Sequence, residues 1–225
     1  MAPVDVLPAF FTPETPAACL HRVILIYRTH INLSGTTFPE HGYIMKLFNE
    51  SCYSLRPLSL TINHEQIPSV AIWYLKSQIP NHMKSLFDDR KQLTLIECTA
   101  RDLDYIIKYL KNLKQLEQLH IIVRRLDKDM HDYNLTYIGS CPHLTEFTFL
   151  ESGIGIVLND LESMLRYMPA LLKFTVAIRN TPDPAFCNAL VLEAVLAQHI
   201  PLLTSFHYTM THRGDSLMSN EPFIE

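Results

Sequence analysis

Glycine is scarce in this chain, with six residues in 225, and that scarcity removes most phosphate-cradling loops. The close pair Gly153-Ile154-Gly155 lacks the third glycine of a dinucleotide fingerprint, and no phosphate-loop lysine follows it. A turn after a strand suits it better. The five cysteines, Cys19, Cys52, Cys98, Cys141 and Cys187, are scattered and form no close pair. That argues against a disulfide framework or a zinc site and favours a reducing compartment. Cys52 and Cys141 each precede a leucine by three positions and read as small buried side chains. The single tryptophan, Trp73, lies between Ile72 and Tyr74 and reads as packing.

Charge is thin as well. Charged residues make up 19%, the formal net charge is −4, and no basic excess suggests nucleic acid. Lys108, Lys111, Lys114, Arg124, Arg125 and Lys128 form a mild basic cluster. Asp102, Asp104, Glu117 and Asp127 flank or interrupt it, as on a solvated helix face. No window approaches the run of about 18 apolar residues that a membrane span needs. Residues 1–18 carry four prolines and no basic start, so they do not read as a signal peptide. Without such a signal, the glycosylation triplets at Asn32, Asn49 and Asn134 read as chance matches. A cytoplasmic setting is expected.

Eleven histidines are present, but none forms the paired i, i+4 arrangement with a flanking glutamate used by zinc hydrolases. His64-Glu65 lacks its second histidine, and structural histidines are expected. No Gly-x-Ser-x-Gly elbow or local cysteine motif marks a nucleophile. No cofactor and no metal are expected.

What the chain has in quantity is hydrophobic residues, 48%, arranged in a returning phrase. An apolar residue, two variable positions, a second apolar residue, one variable position and a third apolar residue recur. The copies are Leu20-Val23-Leu25, Leu55-Leu58-Leu60, Leu116-Leu119-Ile121, Leu144-Phe147-Phe149, Leu171-Phe174-Val176 and Leu203-Phe206-Tyr208. A weaker copy has Arg90 in the leading slot before Leu93 and Leu95. The middle positions recur every 26 to 35 residues, a period characteristic of stacked repeats.

Each phrase reads as a short strand, since Phe147-Thr148-Phe149 and Phe174-Thr175-Val176 alternate with period two. Between phrases the period changes. Leu103, Ile106, Ile107, Leu110 and Leu113 form the stripe of an amphipathic helix. Leu161, Met164, Leu165 and Met168 repeat it, and Leu192, Val195, Leu196 and Ile200 come close. Asp160 is a candidate cap for the second helix. Pro142, Pro169 and Pro201 each stand two residues before a leading leucine, where proline ends a helix and launches a strand. The unit is therefore helix, proline turn, strand, loop. One unit cannot bury its own apolar face, whereas stacked units share a core.

These phrases and helices resemble leucine-rich repeats of the longer intracellular type, in particular the irregular repeats of F-box/leucine-rich-repeat proteins. Leu93-Thr94-Leu95-Ile96-Glu97 with residues 102–119, and Met168-Pro169-Ala170-Leu171-Leu172-Lys173-Phe174, carry the likeness. It covers roughly residues 55–210, and 20–54 less closely. It implies an α/β solenoid, a horseshoe with parallel strands on the concave face and helices on the convex face. It also implies duty as the substrate-recognition part of a ubiquitin-ligase receptor. Two departures stand out. The asparagine expected eight positions after the leading leucine occurs only as Asn63, with Arg28, Arg124, Ser152, Arg179 and Thr211 in the other copies. No F-box is visible, because the prolines after Leu7-Pro8 break any helix there.

The expected organisation is an irregular proline-rich segment (1–18), a repeat domain (19–210) and a polar tail (211–225). The variable position inside each phrase is expected to face the open side of the sheet: Ser59, Thr94, His120, Thr148, Thr175 and His207. The row before it is Gln92, Gln118, Glu146, Lys173 and Ser205. Together these predict a non-catalytic face that binds a protein, with no nucleic-acid or membrane partner. Self-association through uncapped solenoid ends is a further expectation. The competing readings are a compact α/β enzyme with an unmarked active site, and a truncated repeat protein without a partner.

Overall fold

The computed structural model describes residues 30–42, 58–65, 70, 72, 91–110, 113–125, 140–152, 155–181 and 183–212. The phrase at Leu20-Val23-Leu25, together with Cys19, Cys52, Trp73 and residues 1–18 and 213–225, lies outside them. Among the described residues seven strands are present: β1 (His30–Asn32), β2 (Ser59–Asn63), β3 (Gln92–Thr99), β4 (Gln118–Arg125), β5 (Glu146–Ser152), β6 (Lys173–Thr181) and β7 (Ser205–His212). Among the described residues a short helical segment at 38–42 follows β1, and three longer helices separate later strands: α1 (Ala100–Tyr109) after β3, α2 (Leu158–Leu165) after β5 and α3 (Ala189–His199) after β6. A 3-10 turn, Pro184–Cys187, leads into α3.

The strands form one open parallel sheet whose spatial order is the chain order, β1 to β7. One face is apolar. Leu60 and Ile62, Leu93 and Leu95, Leu119 and Ile121, Phe147 and Phe149, and Phe174 and Val176 are all buried there, together with the α1 stripe and Leu161, Met164 and Leu165 of α2. Each such side chain contributes about 2 kcal/mol by leaving water. Phe147, Phe174 and Phe206 stack in a column across three strands, with ring centroids 5.6 Å apart at each step.

The repeated turn has a concrete geometry. Leu144 N donates to Cys141 O, Leu171 N to Met168 O and Leu203 N to Ile200 O, and proline occupies the second turn position each time. Leu116 N donates to Leu113 O in the same way, with Lys114 in place of proline. Each unit then fastens to the one before it. The carbonyls of Leu58, Lys91, Glu117, Thr145 and Leu172 each accept two backbone N–H groups at the start of the next strand.

The register corrects one expectation. Leu60, not Leu58, stands level with Leu93, Leu119, Phe147, Phe174 and Phe206. Leu58 lies ahead of β2 and is 38% exposed. The run Leu58, Leu60, Ile62 allows two alignments two residues apart. Both send the same side chains to the core, so alternation cannot choose between them. Only the partner strand does. β1 likewise supplies Ile31 to this rung, opposite Leu60.

Asp160 occupies the third position of α2 rather than its cap, and its carboxylate accepts from Val157 N at 3.1 Å. α1 is capped as a pair: Thr99 Oγ1 accepts from Asp102 N, and Asp102 accepts from Thr99 N. Just before this cap, Glu97 takes φ 60° at a bulge in β3. Strict alternation after Leu95 would turn Glu97 into the core. The bulge swings it out and buries Cys98 level with Val123.

Candidate functional site

The opposite face of the sheet is polar over its first two rows. The first reads His30, Ser59, Gln92, Gln118, Glu146, Lys173 and Ser205. The second reads Asn32, Thr61, Thr94, His120, Thr148, Thr175 and His207. Ten of the eleven expected face residues thus take their expected rows. Ser59 does not: it belongs with Gln92, and Thr61 holds the place beside Thr94. The cause is the two-residue ambiguity at Leu58. Asn63 moves for the same reason. It sits opposite Ile96, one position short of the row held by Ser152, Arg179 and Thr211.

The structure draws four of these residues together around one carboxylate. Gln118 Nε2 donates to Glu146 Oε2 at 3.3 Å, and Lys173 Nζ lies 3.9 Å from the same oxygen. His120 Nε2 stops 3.6 Å from Glu146 Oε1, too far for a hydrogen bond, and is shut off from water without a partner. Ser205 Oγ and His207 Nε2 pair at 3.3 Å two strands from Glu146. Thr94, Thr148 and Thr175 line the strip between as half-buried residues.

A third row was not anticipated. Ile96, Ile122, Leu150 and Ala177 follow the polar rows on the same face, with Asn63 and Thr209 at its ends. They are half-buried and lie outside the main core. The signal was in the sequence, since four of the phrases, those ending at Leu95, Ile121, Phe149 and Val176, run on into an apolar residue where an exposed strand would carry a polar one. Towards the carboxyl ends of β4, β5 and β6 this row floors a cavity of about 470 Å³, lined by Ile122, Val123, Leu150, Glu151, Ser152, Ala177 and Arg179. Glu151 is turned under the sheet, where its Oε1 accepts from Gly155 N at 3.2 Å.

A second cluster sits at the carboxyl ends of β2 and β3. His64 Nδ1 meets Asp102 Oδ2 at 3.1 Å, and Cys98 Sγ lies 3.9 Å from His64 Nε2. The order cysteine, histidine, carboxylate is that of a nucleophilic triad. Its chemistry runs the other way. All three residues are fully buried. Burial, and then the negative charges of Asp102 and Glu97, push the Cys98 thiol well above its ordinary range. A nucleophile needs a lowered thiol pKa and access, and this site supplies neither. Asp102 instead braces the sheet to α1, gathering Thr99 N, Thr99 Oγ1 and His64 Nδ1. His64 is thus a structural histidine.

Nearby, Thr36 Oγ1 donates to Leu33 O and so accepts from Nε2 of the buried His41. Burial holds His41 below its ordinary pKa, with Glu40 opposing and His64 adding to the fall. Cys141 is buried as expected, with its thiol aimed at Leu110 O, while Cys187 is exposed. Among the described residues no group of His, Cys, Asp and Glu is placed to hold a metal ion. Nor is any described helix long and apolar enough to cross a membrane.

No family model matches the chain, and no curated protein matches it either.

Proposed function

We propose that this chain is a solenoid of the leucine-rich-repeat type whose open sheet face recognises a partner protein without catalysing a reaction. In this reading the strands line a concave face and the helices a convex one. The observation that carries it is the strict chain order of seven parallel strands, which lays the rows of Gln118, Glu146 and Lys173 and of His120, Thr148 and Thr175 side by side. Such a surface offers hydrogen bonds and few fixed charges over many strands, which suits a polypeptide better than a small substrate. The unpartnered His120 Nε2 supports it, because a buried donor or acceptor gains most when a ligand satisfies it. The protected Cys98 thiol supports the non-catalytic part.

The likeness to F-box/leucine-rich-repeat proteins extends the proposal to substrate recognition in ubiquitin transfer, in the cytosol. The test is affinity capture with the wild type, with a Gln118→Lys, Glu146→Lys, Lys173→Glu variant, and with Lys108→Glu on the helical side. Loss of the same partners from the triple variant alone is expected. Equal recovery by all three chains would exclude the open face.

A further inference from the structure

The cavity at the carboxyl ends of β4, β5 and β6 has a chemistry distinct from the polar rows beside it. Its floor is aliphatic: Ile122, Leu150 and Ala177 stand in register on neighbouring strands. At its rim stands Arg179, on the same face as Ala177 and opposite Ser152 on β5. Arg179 is exposed, and its guanidinium makes no ion pair or hydrogen bond with any described residue. Two neighbouring cations are engaged: Lys91 pairs with Glu117 at 2.7 Å, and Lys173 lies by Glu146. The Glu151 carboxylate does not answer Arg179, since it is buried beneath the sheet against Gly155. An exposed guanidinium without an ion-pair partner among the described residues therefore overlooks a cleft with an aliphatic floor and a polar rim, in a chain whose net charge is −4.

We propose that this cleft is the specificity pocket of the recognition face, and that it takes an aliphatic side chain followed two residues later by a carboxylate of a partner polypeptide. The proposal rests on the recognition reading above and adds the partner's chemistry to it. The spacing comes from the strand itself. Ala177 and Arg179 are two residues apart on one face, a separation of about 6.7 Å. An extended segment lying along β6 presents its own i and i+2 side chains at the same interval. The first then rests on Leu150, Ile122 and Ala177, and the second reaches Arg179, with the Ser152 hydroxyl beside it. A guanidinium holds a carboxylate through two parallel hydrogen bonds, so an acidic side chain fits better than an amide or a lysine. The cavity volume lies within the range of sites that enclose most of a small ligand.

Fluorescence polarisation with eight-residue labelled peptides tests this. On a Gly/Ser background, the central triplets are Leu-Ser-Glu, Leu-Ser-Gln, Leu-Ser-Lys and Ser-Ser-Glu. The wild-type chain is expected to bind Leu-Ser-Glu about tenfold or more tighter than the other three. Arg179→Glu, checked for native circular dichroism, is expected to lose that preference and to favour Leu-Ser-Lys. Equal binding of the Glu and Gln peptides, an unchanged preference in Arg179→Glu, or no binding at all would overturn the pocket. Loss of captured partners from the Glu146 and Lys173 variant, alongside a failed peptide panel, would refute the pocket and leave the recognition face standing. Failure of both would refute the recognition face as well.

Discussion

Single residues in this chain are informative where they break a local rule. Glu97 sits in a strand with φ 60°, a conformation that costs an ordinary L-residue about 1–2 kcal/mol and a β-branched one more. Glu97→Val, which strand propensity alone would favour, is expected to lower stability by about 1 kcal/mol in urea titration. Cys141 gives a pH-dependent case. Its folded thiol is pushed by burial from 9.0 to about 12. Below pH 9 both folded and unfolded chains keep the proton, and the stabilisation is whole. As pH climbs from 9 towards 12 the unfolded chain sheds a proton that the folded chain retains, so stability drains by about 1.4 kcal/mol per pH unit. Cys141→Ala is expected to flatten that fall between pH 9.5 and 11, and a parallel fall in both chains would contradict the assignment. Asp102→Ala removes a helix cap and leaves buried His64 without its carboxylate, an expected loss of about 3 kcal/mol by thermal or urea unfolding. This pair could not be read from the chain. His64 and Asp102 are 38 positions apart, and nothing local to either announces the other.

Elements are where sequence reading succeeds best. The α1 stripe from Leu103 to Leu110 and the alternation of β5 and β6 follow from side-chain periodicity, which the backbone geometry enforces. The proline turns were legible because proline has one φ and no donor. Their common hydrogen bond makes Lys114 the odd member of the set. Lys114→Pro is therefore expected to raise stability by about 0.5 kcal/mol, chiefly by restricting the unfolded chain, and chemical denaturation would measure it. What the elements did not disclose was register at β2. Leu58, Leu60 and Ile62 are equally apolar and equally spaced, so the choice belongs to β3 across the sheet. The same reason hid part of the candidate site. The polar rows could be predicted from alternation, but the apolar row of Ile122, Leu150 and Ala177 looked like more core until the strands were laid side by side.

The whole molecule is a sequence of neighbours. Each internal strand contacts the strand before it and the strand after it, and no strand pairs across the order. Stability in such an arrangement is a sum of local terms and shared boundaries. Phe174→Ala empties the middle of the aromatic column and is expected to cost about 4 kcal/mol. Hydrogen exchange is expected to show the loss concentrated in β5, β6 and β7, with β2 and β3 still protected. Uniform loss across all seven strands would show that the sheet unfolds as one body. The paired acceptors at Leu58, Lys91, Glu117, Thr145 and Leu172 carry a consequence for how such a chain changes length. Every joint has the same two main-chain bonds, and only the Glu117 and Leu172 carbonyls take a further bond from a flanking hydroxyl, of Thr145 and Thr204. A tandem copy of the span from Thr145 to Leu172 would arrive with its own fastening at both ends. Growth by duplication then needs no new invention at the seam, while an insertion that separates a joint from its strand breaks the series at that point.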